Sequence, residues 1–284
     1  EASLVARIAA DSFALVIPGR DPIAPLLGRL EAKLERNLEV AGHLVPISTT
    51  SGVARYPDHG RDAGALFRNA GIALKQAKRS SHGHHQEFDD RFESDLRHRL
   101  EVVRELRAPE GLAGLRLLYQ PQRALADGRL IGAEALLRWQ RQAEDLLLPD
   151  QFIAAAEDSG QIVRIGAWVL REACGQQRRW AEQGLDLCMA VNVSPRQLRE
   201  ADFPDLVEAV LSETGIRPDR LELEVTESLL LDEGERAVGV FGRLRQRGVR
   251  VAIDDFGTGH SSLGRLRQLP LDRLKIDRSF ISAI

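Results

Sequence analysis

Cysteine is almost absent from this chain: Cys174 and Cys188 are the only two among 284 residues. Two cysteines without metal-ligand spacing give no basis for a disulfide framework and are typical of buried thiols in a reducing cytoplasm. Strong net charge is lacking too, and the value of −3 argues against a sequence-independent binder of nucleic acid polymers, which would be basic. No apolar run reaches the length of a membrane span and no signal peptide opens the chain, so we expect no membrane contact from this segment.

Methionine is equally scarce, since Met189 is the only one and the chain does not begin with an initiator. The first residues already form a strand-like run, and the last ones lack a polar tail. We therefore expect that both ends are cut from a longer protein. What is present, 43% hydrophobic and 29% charged residues, is typical of a globular protein with one large or two ordinary domains.

The first part of the chain, residues 1–86, mixes strand and helix patterns. A buried strand is expected at 14–17, a helix at 25–40, a strand at 46–54 and an amphipathic helix at 62–78. Residues 80–86 form a polar break with three histidines, for which a solvated loop is favoured over a metal site. Apolar residues at spacings of three and four then predict a long helix over 88–107. Packing on a domain is favoured for this helix over a role as a connector that transmits motion.

From residue 115 onward, strand and helix patterns alternate in units of roughly thirty residues, which predicts parallel strands with helical crossovers. The strands are expected at 117–119, 131–137, 188–193, 221–225, 249–253 and 271–276. The helices are expected at 149–158, 162–183, 203–214, 233–247 and 262–269. This number of units favours a (β/α)₈ barrel, and the lack of a dinucleotide fingerprint after the first strand disfavours a Rossmann fold.

Polar side chains stand at the ends of five of these strands, where a barrel of this kind has its active site. They are Glu134, Asn192, Glu224, Glu227, Asp254, Asp255, Lys275 and Asp277. A single acid in an apolar strand is equally well explained by a structural ion pair, but five neighbouring strands with such ends are not. The candidate ligands are all oxygen donors, which favours Mg²⁺, Mn²⁺ or Ca²⁺ over zinc. Adjacent carboxylates that hold two such ions roughly 4 Å apart suit the hydrolysis of a phosphodiester.

Several short motifs in this region resemble the EAL domain, the cyclic di-GMP phosphodiesterase module. They are Glu134-Ala135-Leu136 with Leu137-Arg138, Tyr119-Gln120-Pro121, Pro149-Asp150-Gln151-Phe152, residues 192–198, 224–227 and 254–259, and Lys275-Ile276-Asp277. The resemblance covers residues 87–284 and implies a TIM-like barrel that hydrolyses cyclic di-GMP to linear pGpG in bacterial signalling, with two Mg²⁺ or Mn²⁺ ions.

The resemblance also implies roles for individual residues. Glu134, Asn192, Glu224 and Asp254 would ligate one metal ion, and Asp255 would serve the second. Lys275 would contact the attacking water, and Glu227 would anchor the loop 254–259. Gln120, Leu136, Arg138 and Asp150 would contact the nucleotide, and the fork of the Arg138 guanidinium suits a phosphate.

Two features depart from the EAL pattern. His260 stands where a tyrosine is usual, and a mild effect is expected. The family continues beyond Ile284 with further strand and helix units that carry a glutamate and a glutamine of the site. We therefore expect that the parent protein has a complete catalytic set and that this fragment alone is inactive.

Residues 1–86 resemble the C-terminal half of a GGDEF domain, the diguanylate cyclase module of α+β fold. Ala9 and Ala10 replace glycines that let a nucleotide approach the backbone, and Ser12 replaces a metal-binding glutamate. Ser3 stands where the product-inhibition site has an aspartate. The resemblance thus implies a folded but inactive cyclase domain, either regulatory, by GTP sensing or homodimer formation, or a structural remnant.

Two other functions remain open beside the phosphodiesterase. The first is a cyclic di-GMP receptor that binds without cutting, for which loss of a metal acid would be typical. The second is a protein-interaction scaffold, which would tolerate the loss of Arg138 and Gln120. All the metal acids, Arg138 and Gln120 are present, which favours the enzyme.

Overall fold

The computed structural model describes residues 4–19, 23–34, 38–40, 43–45, 48–78, 85–108, 110–142, 145–257 and 271–280. The chain divides into two compact units, Glu1–Arg97 and His98–Ile284. The predicted domain boundary at residue 86 stays a prediction. No helix within the described residues is both long enough and apolar enough to cross a membrane.

The first unit contains small two-stranded sheets and two helices, followed by the start of a third helix. Its elements are β1 (Leu4–Arg7), β2 (Phe13–Val16), α1 (Ala24–Leu34), β3 (Leu38–Val40), β4 (His43–Val45), β5 (Ser51–Val53), α2 (Ala63–Ala77), β6 (His85–Glu87) and the N-terminal part of α3 (Asp90–Arg107). Strands β1 and β2 pair antiparallel, as do β3 and β4, whereas β5 and β6 pair parallel.

Helix α2 shows how local sequence sets an element of this unit. The Asp62 side chain accepts a hydrogen bond from the Ala65 N–H at 2.8 Å and so caps the helix. Strand β5 packs so closely on α2 that a Cβ on Gly52 would lie 2.2 Å from the carbonyl oxygen of Ala70. The helix predicted at 62–78 is therefore confirmed.

Three predictions for the first unit were wrong in part. The helix predicted at 25–40 ends by residue 34, because Leu38–Val40 pairs with β4 as a strand. The strand around 14–17 exists, but it is not buried, since Phe13 and Val16 are 59% and 54% exposed and β2 pairs only with β1 among the described residues. Within the polar break, His85 begins β6. Residues 79–84, with the other two histidines, lie outside the described residues.

The second unit consists of one large curved sheet with helices against its outer face. After the C-terminal part of α3 come β7 (Leu115–Arg123), β8 (Leu130–Gln142), β9 (Asp145–Leu147), α4 (Pro149–Ser159), α5 (Gln161–Glu182), β10 (Cys188–Asn192), α6 (Pro195–Arg199), α7 (Phe203–Thr214), a 3₁₀ turn (Pro218–Arg220), β11 (Leu221–Thr226), α8 (Glu227–Gln246), β12 (Arg250–Phe256), β13 (Arg273–Ile276) and a 3₁₀ turn (Arg278–Phe280). The strand order is β13-β12-β11-β10-β8-β7, with β9 on β8.

The strands from β8 to β13 along this order run parallel, as predicted, but β7 runs antiparallel to β8. The prediction of parallel strands throughout was therefore wrong for β7. The reason is the short turn of residues 124–129, since a parallel pair needs a crossover of a dozen residues or more. The predicted helix at 262–269 lies outside the described residues.

The two faces of the sheet differ in character because side chains alternate along each strand. On β11 the outward residues Leu221, Leu223 and Val225 are at most 1% exposed and belong to the main hydrophobic core. The inward residues between them, Glu222 and Glu224, are acids. A curved sheet with helices outside and polar groups inside is the TIM-barrel-like arrangement that the sequence predicts.

Candidate active site

Three carboxylates meet on the inner face of the sheet, toward the carboxyl ends of its parallel strands. Glu134 comes from β8, Glu224 from β11 and Asp254 from β12, and one oxygen of each lies within 4.8 Å of the others. We call these three residues the acidic cluster. Parallel strands bring such residues together because their carboxyl ends lie at the same edge of a sheet.

The Lys275 ammonium, from β13, lies in the middle of the acidic cluster. Its Nζ is 2.7 Å from Glu224 Oε2, 3.1 Å from Glu134 Oε2 and 3.1 Å from Asp254 Oδ2. The positive charge therefore lies close to all three carboxylates and reduces the repulsion between them.

Burial makes these charges sensitive to one another. The Glu224 side chain has no exposed surface, and this desolvation raises the pKa of its carboxyl above the ordinary value, against the opposing hydrogen bond and charge of Lys275. Burial alone lowers the pKa of Lys275, but its hydrogen bond to Glu224 and the surrounding acids raise that pKa above the ordinary value.

The donor set fits a metal cation. Glu224 Oε1 is buried and makes no hydrogen bond within the part of the chain that the structure describes. A buried carboxylate oxygen without a donor is costly, and a hard divalent ion would satisfy it. The acidic cluster can thus hold a metal ion, and its oxygen-only composition is the one such ions prefer.

Asn192 joins the cluster from β10. Its Nδ2 donates a hydrogen bond of 2.9 Å to Glu134 Oε1, so the amide oxygen is the group that it can offer to a cation. The chain leaving Asn192 is fixed by a capping box, in which the Ser194 side chain accepts from the Gln197 N–H and the Gln197 side chain accepts from the Ser194 N–H. The buried Gln197 side chain fills the space beside Gly166. A Cβ on Gly166 would lie 1.9 Å from Gln197 Nε2, so a larger residue would displace this side chain.

Asp255, predicted to serve a second metal ion, is not part of the acidic cluster. It has a φ of 53°, a left-handed conformation that is uncommon for residues other than glycine and is often found at functional sites. Its N–H donates to Asp254 Oδ1 at 3.0 Å. Desolvation, together with the charges of Asp254 and Asp277, raises the pKa of the Asp255 carboxyl. A group with that electrostatic environment is suited to a nearby cation.

Glu227 lies at the first position of α8 and is only 3% exposed. Its Oε2 accepts a hydrogen bond of 3.0 Å from the Gly257 N–H, at the beginning of the loop that follows β12. Gly257 has a φ of 101°, and a Cβ there would lie 2.7 Å from the Phe280 ring. The predicted contact between Glu227 and this loop is therefore present in the described part, whereas residues 258–260 lie outside it.

The predicted nucleotide-contacting residues on β7 and β8 share the inner face with the cluster. Gln120 pairs in register with Glu134, while Leu136 and Arg138 follow Glu134 at intervals of two residues. The Arg138 guanidinium donates to its neighbour's carbonyl, Leu137 O, at 2.7 Å. The fourth predicted residue, Asp150, is exposed in the first turn of α4, and no described contact joins it to the acidic cluster.

A second set of polar inner-face residues was missed by sequence reasoning. Glu222, Arg273 and Gln122 lie one inner-face position below the acidic cluster, and the Arg273 guanidinium contacts both of the others. We call these three residues the lower layer. The signal was present in the sequence, since Glu222 and Arg273 each precede a predicted site residue by two positions.

Comparison with known families decides the classification. The EAL domain matches residues 104–284, which is more than half of the chain. The chain belongs to the EAL-domain family. Its N-terminal residues 1–84 match the diguanylate cyclase, GGDEF domain. An EAL domain therefore follows a GGDEF region, as the motifs predicted.

Individual EAL relatives are similar over the whole of this chain. The bifunctional diguanylate cyclase/cyclic di-GMP phosphodiesterase MucR of Pseudomonas aeruginosa is 38% identical over 99% of the chain and 41% of its own length. The cyclic di-GMP phosphodiesterase NbdA of the same species is 39% identical over 100% of the chain and 37% of its own length. This chain thus spans well under half the length of these relatives.

Solved EAL structures share the fold. The PaMucR phosphodiesterase in complex with c-di-GMP is 43% identical, with a TM-score of 0.61 over 64% of this chain and 74% of that one. The similarity supports the TIM-barrel-like fold of the EAL domain.

Proposed function

We propose that the protein containing this chain hydrolyses cyclic di-GMP to linear pGpG in bacterial second-messenger signalling, with two Mg²⁺ or Mn²⁺ ions. The observation that carries the proposal is the acidic cluster with a buried, unsatisfied carboxylate oxygen, in a domain whose relatives MucR and NbdA are named as cyclic di-GMP phosphodiesterases. Intact metal acids favour catalysis over the alternative, a receptor that binds cyclic di-GMP without cutting it.

The acidic cluster and Asn192 would hold the first ion, and Asp255 would serve the second. A bound divalent ion lowers the pKa of its water and neutralises charge on the phosphate. Lys275 supplies a fixed positive charge at the same edge, where it can contact the attacking water and offset charge on the phosphoryl group. Glu227 keeps Gly257 in place, so the loop after β12 begins from a defined position.

Binding of the nucleotide is assigned to the inner face of β7 and β8 and to the start of α4. Gln120 and Leu136 line the face beside Glu134, and Arg138 offers a planar fork for one phosphate. Asp150, on the exposed first turn of α4, would reach the nucleotide from the rim. These roles follow from the EAL resemblance and from the shared face.

The test is incubation of the full-length protein with cyclic di-GMP and Mn²⁺, with pGpG followed by chromatography. We expect pGpG from the wild type and none from Asp254→Asn, which replaces one charged ligand with an isosteric amide. Binding of cyclic di-GMP without pGpG, at micromolar enzyme, would favour the receptor. Unchanged turnover in Asp254→Asn would remove Asp254 from the metal site.

For the GGDEF region we propose a folded domain without cyclase activity, which either binds GTP or supports a homodimer. The turn between β1 and β2 carries Ala9, Ala10 and Ser12, all in the positions of the degenerate motif, and the Ser12 hydroxyl donates to Asp11 Oδ1. Equilibrium dialysis with GTP and light scattering test the two roles separately. A cytoplasmic location remains a prediction from the scarcity of cysteine.

A further inference from the structure

The lower layer pairs an acid of β11 with a basic residue of β13, as Glu224 and Lys275 do one inner-face position above it. Glu222 precedes Glu224 by two residues on β11, and Arg273 precedes Lys275 by two residues on β13. Because side chains alternate along a strand, each member of the lower layer shares a face with a site residue on the same strand. A contact that fixes the side chain in the lower layer therefore also constrains the position of the site residue two places further along the same strand.

The contacts of the lower layer are direct. Arg273 Nη1 donates to Glu222 Oε1 at 2.9 Å and lies 3.4 Å from Gln122 Oε1 on β7. The Glu222 side chain is 1% exposed, and its Oε2 has no hydrogen-bond partner among the described residues. The absence of a side chain at Gly132 leaves room for Gln122, since a Cβ on Gly132 would lie 2.8 Å from Gln122 Oε1.

Strand β13 is short, and its beginning is anchored by Asp272, which pairs with Arg245 and exchanges hydrogen bonds with Val251. It has four residues and pairs only with β12 in the described part, where the register shifts between Ile253 and Phe256. Its outward residues Leu274 and Ile276 are 49% and 60% exposed in this chain. The inner-face contacts of Arg273 and Lys275 join β13 to β7, β8 and β11, strands with which it does not pair among the described residues.

We propose that Arg273, through its ion pair with Glu222, is a positioning residue that holds Lys275 at the acidic cluster. The role in turnover rests on the proposed phosphodiesterase function, but the placement of Lys275 does not. Arg273 touches neither substrate nor metal in this proposal. It acts by fixing the position of a reacting group, a factor to which rates are sensitive at displacements of about 1 Å.

Kinetics of the full-length protein give the first readout. Arg273→Met should lower kcat at least tenfold with KM within twofold, because the predicted nucleotide contacts are untouched. Arg273→Lys should recover most of the rate, since an ammonium can still reach Glu222. Arg245→Met is the matched control, because Arg245 pairs with Asp272 at the start of β13 outside the lower layer, and its kcat should equal that of the wild type.

A double variant separates positioning from mere stability. Glu222→Leu/Arg273→Met replaces the buried acid and its half-buried partner by apolar side chains, and replacement of both partners commonly keeps or raises stability. It should fold with a melting temperature at or above that of Arg273→Met yet keep the low kcat. Recovery of wild-type kcat in the double variant would show that the pair only stabilises the fold, and would overturn the proposal, as would wild-type kcat in Arg273→Met or an equal loss in Arg245→Met.

The rate of lysine acetylation in EDTA reports on the position of Lys275 and does not depend on enzymatic activity. In the wild type, Lys275 should react with a water-soluble N-hydroxysuccinimide ester at least tenfold more slowly than exposed Lys75, as followed by mass spectrometry. Arg273→Met and the double variant should abolish this protection and leave Lys75 unchanged. Full protection in both variants would overturn the proposal. A wild type that shows the protection but makes no pGpG would refute the phosphodiesterase function alone.

Discussion

Replacing Lys275 by methionine removes an ammonium that contacts all three carboxylates of the acidic cluster. Removal of one partner of a buried ion pair costs about 3–5 kcal/mol, because the remaining charge is left without compensation. Glu224 is fully buried, but Lys275 keeps 23% of its side-chain surface exposed. We therefore expect a loss near the lower limit, about 3 kcal/mol in the free energy of unfolding in EDTA.

Urea unfolding followed by tryptophan fluorescence measures this loss. The three tryptophans, Trp139, Trp168 and Trp180, all lie in the second unit, so the signal reports on the domain that contains the cluster. Mn²⁺ at one hundred times its Kd should return about 2.7 kcal/mol to the Lys275→Met variant.

The matched control is Arg178→Met, which breaks an exposed pair with Glu182 and a 3.3 Å hydrogen bond to Gly215 O. It should cost less than about 1 kcal/mol, the usual contribution of a surface ion pair. A Lys275→Met variant as stable in EDTA as this control would refute the view that the ammonium compensates the cluster.

The remaining predictions concern other groups of the second unit. In EDTA, stability should fall as pH rises above the ordinary pKa of a glutamate and Glu224→Gln should flatten the profile, because an acid whose pKa is raised in the folded state binds more protons there than in the unfolded chain; a profile that is the same in both proteins would contradict this. Gly166→Ala should lower the urea midpoint, since its Cβ would displace the Gln197 side chain from the capping box; an unchanged midpoint would mean that the helix and Gln197 adjust freely. Cys174 and Cys188 should resist a thiol reagent at pH 8 until the protein unfolds, because burial raises their pKa values to about 12 and about 11; rapid reaction of the native protein would contradict their burial.

The acidic cluster can be predicted from the sequence, because two simple rules are enough to bring its three residues together. Alternation of strand and helix implies parallel strands, and parallel strands bring their carboxyl ends together. Glu134, Glu224 and Asp254 then become neighbours although long stretches of chain separate them. The central place of Lys275 was not predictable in this way, because it depends on how strongly the sheet curves, which no local pattern encodes.

Other differences have local causes. Helix α8 begins at Glu227, six residues before the predicted start. The prediction missed its first turns because the helical pattern is interrupted at Gly234, which has a φ of 27° and lies at a kink. The lower layer was missed since Glu222, taken alone, is indistinguishable from an ordinary structural acid. Its meaning emerges only when Arg273 is seen on the same inner face.

The antiparallel start of the sheet has a consequence for the order of folding. Strands β7 and β8 are joined by a short turn, and hairpins of this kind close within about 1–10 μs. Glu134 and Lys275, by contrast, are separated by 141 residues, so their contact carries a large loop-closure cost. We expect the hairpin with Gln120 and Arg138 to form early and serve as a template. The contact of Lys275 with the acidic cluster then appears only once β13 has docked, so that the nucleotide-facing half of the site forms before the catalytic half.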